Sequence, residues 1–333
     1  MKGPLAVALI GTVAFALLPF IVPAYYVGLM IPFFGYAIAL LGFNLLFGYT
    51  GLLSFGHAMF LGIGAYGAAV MTGLGFKSFE LVLVVVILAS AAIALPIGLL
   101  CVRYVGIFFG MLTLAFGMLF HSFLFKFYYV TGGDSGMRVA RMKILGLEFA
   151  KYNKIEFLAG PFYYYCLGLL IIGGFLMWRI VHSPFGLHLR TIRDNARKAE
   201  YLGVHVHRFR LAAFVISAAF GAVGGAILGF RVGLADPELV YWTQSGQLVF
   251  MAVLGGFANF FGPIVGALSY ILLQDQLQSL TQYWRFVLGA ILALIVIAFP
   301  QGIAGLAVQL KRLVRGGRHD RAAGDPQRQQ ILW

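Results

Sequence analysis

Charge is what this sequence has least of. Lys and Arg number 24 and Asp and Glu 11 in 333 residues, so charged residues make up 11%, against about 25% in soluble globular chains. There are two cysteines, Cys101 and Cys166, both inside apolar runs. Two distant cysteines of this kind form no redox or metal motif and exclude a disulfide scaffold. A P-loop is missing: the nearest string, Gly73 to Ser78, has Phe76 where a phosphate cradle needs glycine. The string Gly133 to Met137 fails the nucleophile-elbow pattern at its last position. His205 and His207 stand two apart, off a shared helix face and without a partner ligand. No catalytic residue and no metal site is read from the chain, which is expected not to be an enzyme; a membrane-embedded enzyme would need a nucleophile–base pair or a metal cluster.

Apolar residues fill the space. They make up 61% of the chain, and no soluble fold of this size has an interior large enough to hide them. The expected fold class is all-α, a polytopic membrane protein of about ten transmembrane helices. A span needs about 20 apolar residues. The candidates are Leu5–Val22, Leu29–Phe47, Leu52–Met71, Leu81–Val102, Val105–Phe125, Phe162–Val181, Leu211–Phe230, Gln247–Phe257, Pro263–Leu273 and Phe286–Pro300. The eighth and ninth are short and are expected to be broken, tilted or shielded. The first is read as a retained helix, not a signal peptide, because further spans follow.

The net charge of +13 fits cytoplasmic loops at an anionic leaflet better than nucleic-acid binding. Residues 182–210 hold Arg190, Arg193, Arg197, Lys198, Arg208 and Arg210 against Asp194 and Glu200. The tail after Gln309 is equally basic. Both segments are expected in the cytoplasm, together with Lys2 and Arg103, so both termini are cytoplasmic. This divides the chain into a transmembrane domain, 1–310, and a basic tail, 311–333, expected to be disordered. An external loop at 126–160 is expected to form a small ordered cap, although its six basic and three acidic residues run against the charge rule.

Glycine is abundant, at 43 residues. Gly62, Gly64 and Gly67 form one cluster, Gly221, Gly224 and Gly225 another, and Gly262 and Gly266 a third. Such spacing lets helix backbones approach closely in lipid; one glycine-rich region in each half would also suit an inverted repeat. His57 is a lone histidine at membrane depth, read as a packing residue or as a neighbour of the pathway. Asp275 lies near the end of the ninth span. One such Asp and one His make a poor proton relay, which weighs against a stand-alone channel or ion-coupled carrier.

The loop from Ser183 to Gly203 reads as a short helix, Ile192 to Leu202. Thr191 to Asp194 has the form of a capping box. Ala196, Ala199 and Leu202 line one face, and Gly203 stands where a helix stops. Such a helix could dock in a groove on a soluble partner or lie on the lipid surface.

Here the residues carry a resemblance. GYTGLLSFGHAMFLGIGAY, Gly48–Tyr66, resembles the N-terminal signature of permease subunits of branched-chain amino acid ABC importers. SPFGLHLRTIRDNARKAEYLG, Ser183–Gly203, with the helix following it to Gly229, is similar to their cytoplasmic loop. Arg103 to Gly106 with Phe109 and Thr113 to Phe116, and the turn Thr131 to Gly136, resemble the M-type permease; Gly110 departs from the family's more usual alanine. Gly255–Ala267 resembles its late glycine motif.

The resemblance implies a ten-helix permease of the bacterial inner membrane, moving branched-chain amino acids, or alternatively urea, another small amide or an organic acid. It implies as partners a homologous second permease, two cytoplasmic ABC ATPases, a periplasmic substrate-binding protein and membrane lipid, but no nucleic acid. No cofactor is implied for this chain; ATP and Mg would be bound by the ATPases. The ATPase-coupling residues would be Arg193, Asn195, Ala196, Arg197, Ala199, Glu200 and Gly203. The translocation-pathway candidates would be Gly51, Ser54, Gly56, His57, Gly62, Gly64, Tyr66, Thr113, Ser217, Gly221 and Gly225.

Overall fold

The structure is a computed structural model and describes residues 2–147, 153–298, 302, 303 and 305. The tail at 311–333, part of the 126–160 loop and the end of the tenth expected span lie outside the described residues. The helices run in the order α1 (Lys2–Ile21), α2 (Ala24–Asn44), α3 (Ala58–Gly73), α4 (Phe79–Cys101), α5 (Ile107–Lys126), α6 (Tyr128–Thr131), α7 (Lys154–Phe157), α8 (Tyr163–Val181), α9 (Pro184–Tyr201), α10 (Val206–Val232), α11 (Trp242–Gly255), α12 (Gly262–Leu280) and α13 (Trp284–Ala298). A helix overlies each of the ten apolar segments. Among the described residues five stretches are long and apolar enough to cross a membrane: Tyr25–Tyr49, Phe79–Cys101, Ile107–Lys126, Ile155–Val181 and Val206–Val232. Ile10–Ile21, Ala58–Gly73 and Trp284–Ile295 are shorter apolar helices. This is the chain of a multi-pass membrane protein.

These helices form because an apolar medium leaves the backbone no partner but itself. Pro19, Pro32 and Pro96 sit inside α1, α2 and α4, which neighbouring helices tolerate in lipid. Burial separates the centre from the rim. The most apolar window of Tyr25–Tyr49 is 89% buried, whereas that of Ile107–Lys126 is 28% buried. The α2 helix is therefore central, and α5 presents apolar residues such as Ile107, Phe108 and Met111 outward.

The α10 helix packs along α2, α3 and α4. It does so through glycine. A Cβ at Gly225 would collide with the backbone of Leu61, and one at Gly64 with the carbonyl of Ala222. Where the obstacle is backbone, no rotamer change can relieve it.

The third expected span, Leu52–Met71, is corrected. Residues 51–57 are not helical, and α3 keeps 16 residues, about 24 Å of rise against a hydrocarbon core of about 30 Å. The ninth runs longer than its apolar count, since α12 extends to Leu280 through Gln274, Asp275 and Gln276. The segment after α5 is ordered over its described part: α6, a 3-10 turn at Gly133–Ser135, and β1 (Met137–Arg138) paired antiparallel with β2 (Leu234–Ala235), Met137 opposite Ala235.

Gly64→Val should leave too little folded protein for detergent extraction, or lower its thermal midpoint strongly, because overpacking alone costs about 1–3 kcal/mol and backbone cannot yield. Gly174→Ala, with nothing within 4 Å of the added atom, is the control expected to behave as wild type. Equal midpoints for the two variants, by size-exclusion after heating, would dismiss the glycine contact as a determinant.

Candidate functional site

The end of α2 does not close as an α-helix. It widens into a π-turn at Leu45–Tyr49, a feature frequent at functional sites. The chain then runs unwound to α3. Its backbone is satisfied piecemeal: Leu52 N donates to Leu46 O at 3.0 Å, and Thr50 Oγ1 donates to Leu45 O at 2.9 Å. Phe55 N donates to Thr113 Oγ1 at 3.2 Å, while Thr113 Oγ1 donates to Gly110 O. At the start of α3, Ala58 N donates to Ser245 Oγ at 2.9 Å. The first turns of the short helices α3 and α11 therefore meet.

His57 sits at this break with no solvent exposure. Its ring lies between Phe43 and Phe60, at 5.3 Å from each, and its Nε2 is 3.3 Å from Ser217 Oγ. Among the described residues its Nδ1 has no hydrogen-bond partner, nor do the buried Asn44 Oδ1 and Ser54 Oγ. An unmade buried hydrogen bond costs about 1–3 kcal/mol. Three orphaned groups around one break mark a segment whose present conformation is not its best-satisfied one.

The other half of the site is α9. It begins earlier than the sequence implies, at Pro184, a residue suited to the first helical position. Thr191 is therefore inside a helix and no cap; its Oγ1 donates back to Leu187 O at 3.0 Å. The helix kinks at Asn195 (φ −161°, ψ 98°), whose Oδ1 accepts from Lys198 N at 3.0 Å and caps the second half. The expected stop at Gly203 is present: φ is +83°, Gly203 N donates to Glu200 O and Val204 N to Ala199 O, the double closure of a Schellman motif.

The small-residue face is turned the other way. Ala199 is fully buried against Ile192 and Val206, with Ala196 beside it. The exposed surface of the second half and its cap is made of Arg197, Lys198, Glu200, Tyr201 and Leu202 instead, with Tyr201 89% and Leu202 78% exposed. Ala199 thus seats this chain on itself, and Leu202 does not share its face. Glu200 has Arg210 of the same chain within electrostatic reach.

The two halves touch. Arg193 Nη1 donates to the Gly48 carbonyl, at the π-turn. Its stem covers Gly51, where a Cβ would lie 2.9 Å from Arg193 Cγ. Arg190 lies over the Tyr49 ring at 5.0 Å. The exposed Asp194 is 3.5 Å from Arg193 Nε, a surface pair of small weight. Of the pathway candidates, Gly51, Ser54, Gly56, His57, Thr113, Ser217 and Gly221 gather around the break. Gly62, Gly64 and Gly225 are packing contacts to Val240, Ala222 and Leu61, and Tyr66 is buried near Asp236. None of them lines the large cavity at the far end of α10; in this conformation they form a closed helix contact. Asn44, Gly48, Arg190 and Ser245 are not among the residues that sequence patterns single out. Gly48, inside the signature, and Arg190, inside the loop string, carry a signal there; Asn44 and Ser245 carry none.

The family described as branched-chain amino acid transport system / permease component matches residues 25–296. The chain belongs to this permease family. The high-affinity branched-chain amino acid transport system permease protein LivM of Escherichia coli K12 is 28% identical over 305 residues, covering 84% of this chain and 70% of that protein. LivM of Salmonella typhimurium LT2 is 29% identical over 292 residues, 80% of this chain and 67% of the relative. The Escherichia coli K12 permease LivH is 32% identical over 130 residues, 38% of this chain and 41% of that one. The permease therefore resembles LivM over most of its length and LivH over a part, in keeping with the M-type motifs. No solved structure matches the chain.

Arg193→Ala should free the Gly48 carbonyl and loosen the break. A hydrogen bond from a charged donor is worth about 1.5–3 kcal/mol, so amide exchange across residues 50–57 should quicken about ten-fold or more. Unchanged exchange there by mass spectrometry would remove Arg193 as a clamp.

Proposed function

We propose that this chain is the M-type permease subunit of an ATP-driven importer that carries branched-chain amino acids across the bacterial inner membrane. In this reading it has ten transmembrane helices, with both termini, α9 and the basic tail in the cytoplasm. It pairs with a homologous LivH-like permease. Two ABC ATPases bind below it, and a periplasmic binding protein delivers substrate above. The chain hydrolyses nothing; ATP and Mg belong to the ATPases.

The observation that carries the mechanism is the contact of Arg193 and Arg190 with the π-turn at Gly48 and Tyr49. The capped second half of α9, with Glu200, Tyr201 and Leu202 exposed, engages the ATPase. When the ATPases close, α9 shifts. Arg193 then pulls on or releases the unwound segment, whose orphaned His57, Asn44 and Ser54 groups gain partners in the other state. Coupling runs from one site to another through an element with two arrangements.

Two experiments test this. Glu200→Arg alters an exposed residue within electrostatic reach of the buried Arg210, so membrane level is measured beside uptake; it should reach normal membrane levels yet abolish amino acid uptake. Full uptake by that variant would refute the assigned role of α9. Gentle purification of the tagged chain from its native membranes should bring down a second permease and two P-loop ATPases in comparable amounts. A chain that emerges alone and moves solute in vesicles without ATP would replace the importer by a channel or carrier.

A further inference from the structure

A cavity of about 870 Å³ opens at the end of α10 opposite α9, within the size range of small-molecule sites. The α10 helix has 27 residues, about 40 Å of rise, so the cavity and α9 lie at opposite ends of it. Leu29, Pro32, Leu228 and Ile271 supply an apolar wall. Polar groups converge from four elements: Tyr25 from the first turn of α2, Arg231 from the last turn of α10, Gln244 from the first turn of α11 and Asp275 from α12.

Their hydrogen bonding is incomplete. Among the described residues the Arg231 side chain makes neither a hydrogen bond nor an ion pair, although Tyr36 and Tyr25 lie within electrostatic reach. The Tyr25 hydroxyl donates to Asp275 Oδ1 at 2.6 Å, which orients that carboxylate and leaves its other oxygen available. Gln244 Oε1 is buried without a partner. Asp236 also lines the cavity, but its Oδ1 accepts from Glu238 N and caps a short turn.

A cation and an anion that do not neutralise each other select what enters. A neutral amide would leave both uncompensated, and a simple organic anion would leave Asp275. We propose that this cavity is a receiving site for a zwitterionic α-amino acid. The carboxylate lies on Arg231, the ammonium on the free oxygen of Asp275, and an aliphatic side chain against Leu228 and Ile271. The cavity thereby gives the permease selectivity of its own, between amino acids and amides such as urea. Naming the substrate class in this way rests on the importer reading above.

The test uses the purified assembled complex without its binding protein and follows thermal protection by leucine, leucinamide, 4-methylpentanoate, urea and phosphoethanolamine. Leucine should protect. Leucinamide, which lacks the carboxylate, and 4-methylpentanoate, which lacks the ammonium, should each need at least about ten-fold higher concentration, the value of one charged hydrogen bond. Arg231→Gln should weaken leucine to the level of leucinamide and leave leucinamide itself unchanged, with Arg231→Lys in between. Asp275→Asn should do the same for leucine against 4-methylpentanoate. A merely structural role would weaken all ligands alike. Equal protection by leucine and leucinamide in the wild type, which needs no variant to fold, would overturn the assignment. So would protection by urea alone, or by phosphoethanolamine but not leucine, the latter marking a lipid-headgroup site. If the analogue pattern holds but vesicles with all subunits import no leucine, the cavity assignment stands and the importer reading falls.

Discussion

Backbone meets backbone along α10, and the rest of the molecule is arranged around that contact. Two apolar helices in lipid gain nothing from hiding apolar surface, because the lipid is as apolar as they are. What holds them is the number of atoms brought into van der Waals distance, and that depends on how close the axes come. On α10 the glycines at 224 and 225 bring its backbone against that of α2 at Gly35 and of α3 at Leu61. This closeness sets Ser217 beside His57 and seats Phe60 over Gly221. A helix break flanked by unpartnered polar atoms can persist only inside such a wall, since exposed to lipid it would leave its backbone unpaired.

The same rod joins two distinct features of the molecule. Near Val206 the α9 helix reaches the π-turn through Arg193 and Arg190; near Val232 an open cavity gathers Arg231, Asp275, Tyr25 and Gln244. The short helices α3 and α11 join at their first turns between these ends, through Ala58 N and Ser245 Oγ. The contact of Arg193 and Arg190 is therefore made with the unwound segment, where few regular hydrogen bonds lie, and not with the tightly packed body of α10. Rigid contacts and a compliant break lie side by side, as an element with two arrangements requires.

Much of this is legible in the order of the amino acids. Apolar runs mark the helices because the bilayer demands length and hydrophobicity in one continuous segment. Gly203 marks the end of α9 because the residue there must take a left-handed conformation, and the signature strings mark the family. Sequence patterns mislead where a local spacing has two outcomes. Thr191 to Asp194 has the spacing of a cap, but Pro184 starts the helix earlier and leaves Thr191 in its interior. Ala196, Ala199 and Leu202 lie at helical intervals, yet α9 ends at Tyr201, so Ala199 packs toward Val206 while Leu202, at the C-cap, stays outside.

By itself, then, the sequence determined the membrane class, the helical content, the stop of α9 and the family, since each depends on composition or on residues near one another in the chain. Only the tertiary structure decided that the third helix begins at Ala58, that Arg193 holds Gly48, that Gly62, Gly64 and Gly225 lie in closed contacts, and that Tyr25 reaches Asp275. Those facts depend on how helices far apart in sequence lie against one another. A hydropathy pattern does not encode that distance; it is set by which backbones can touch.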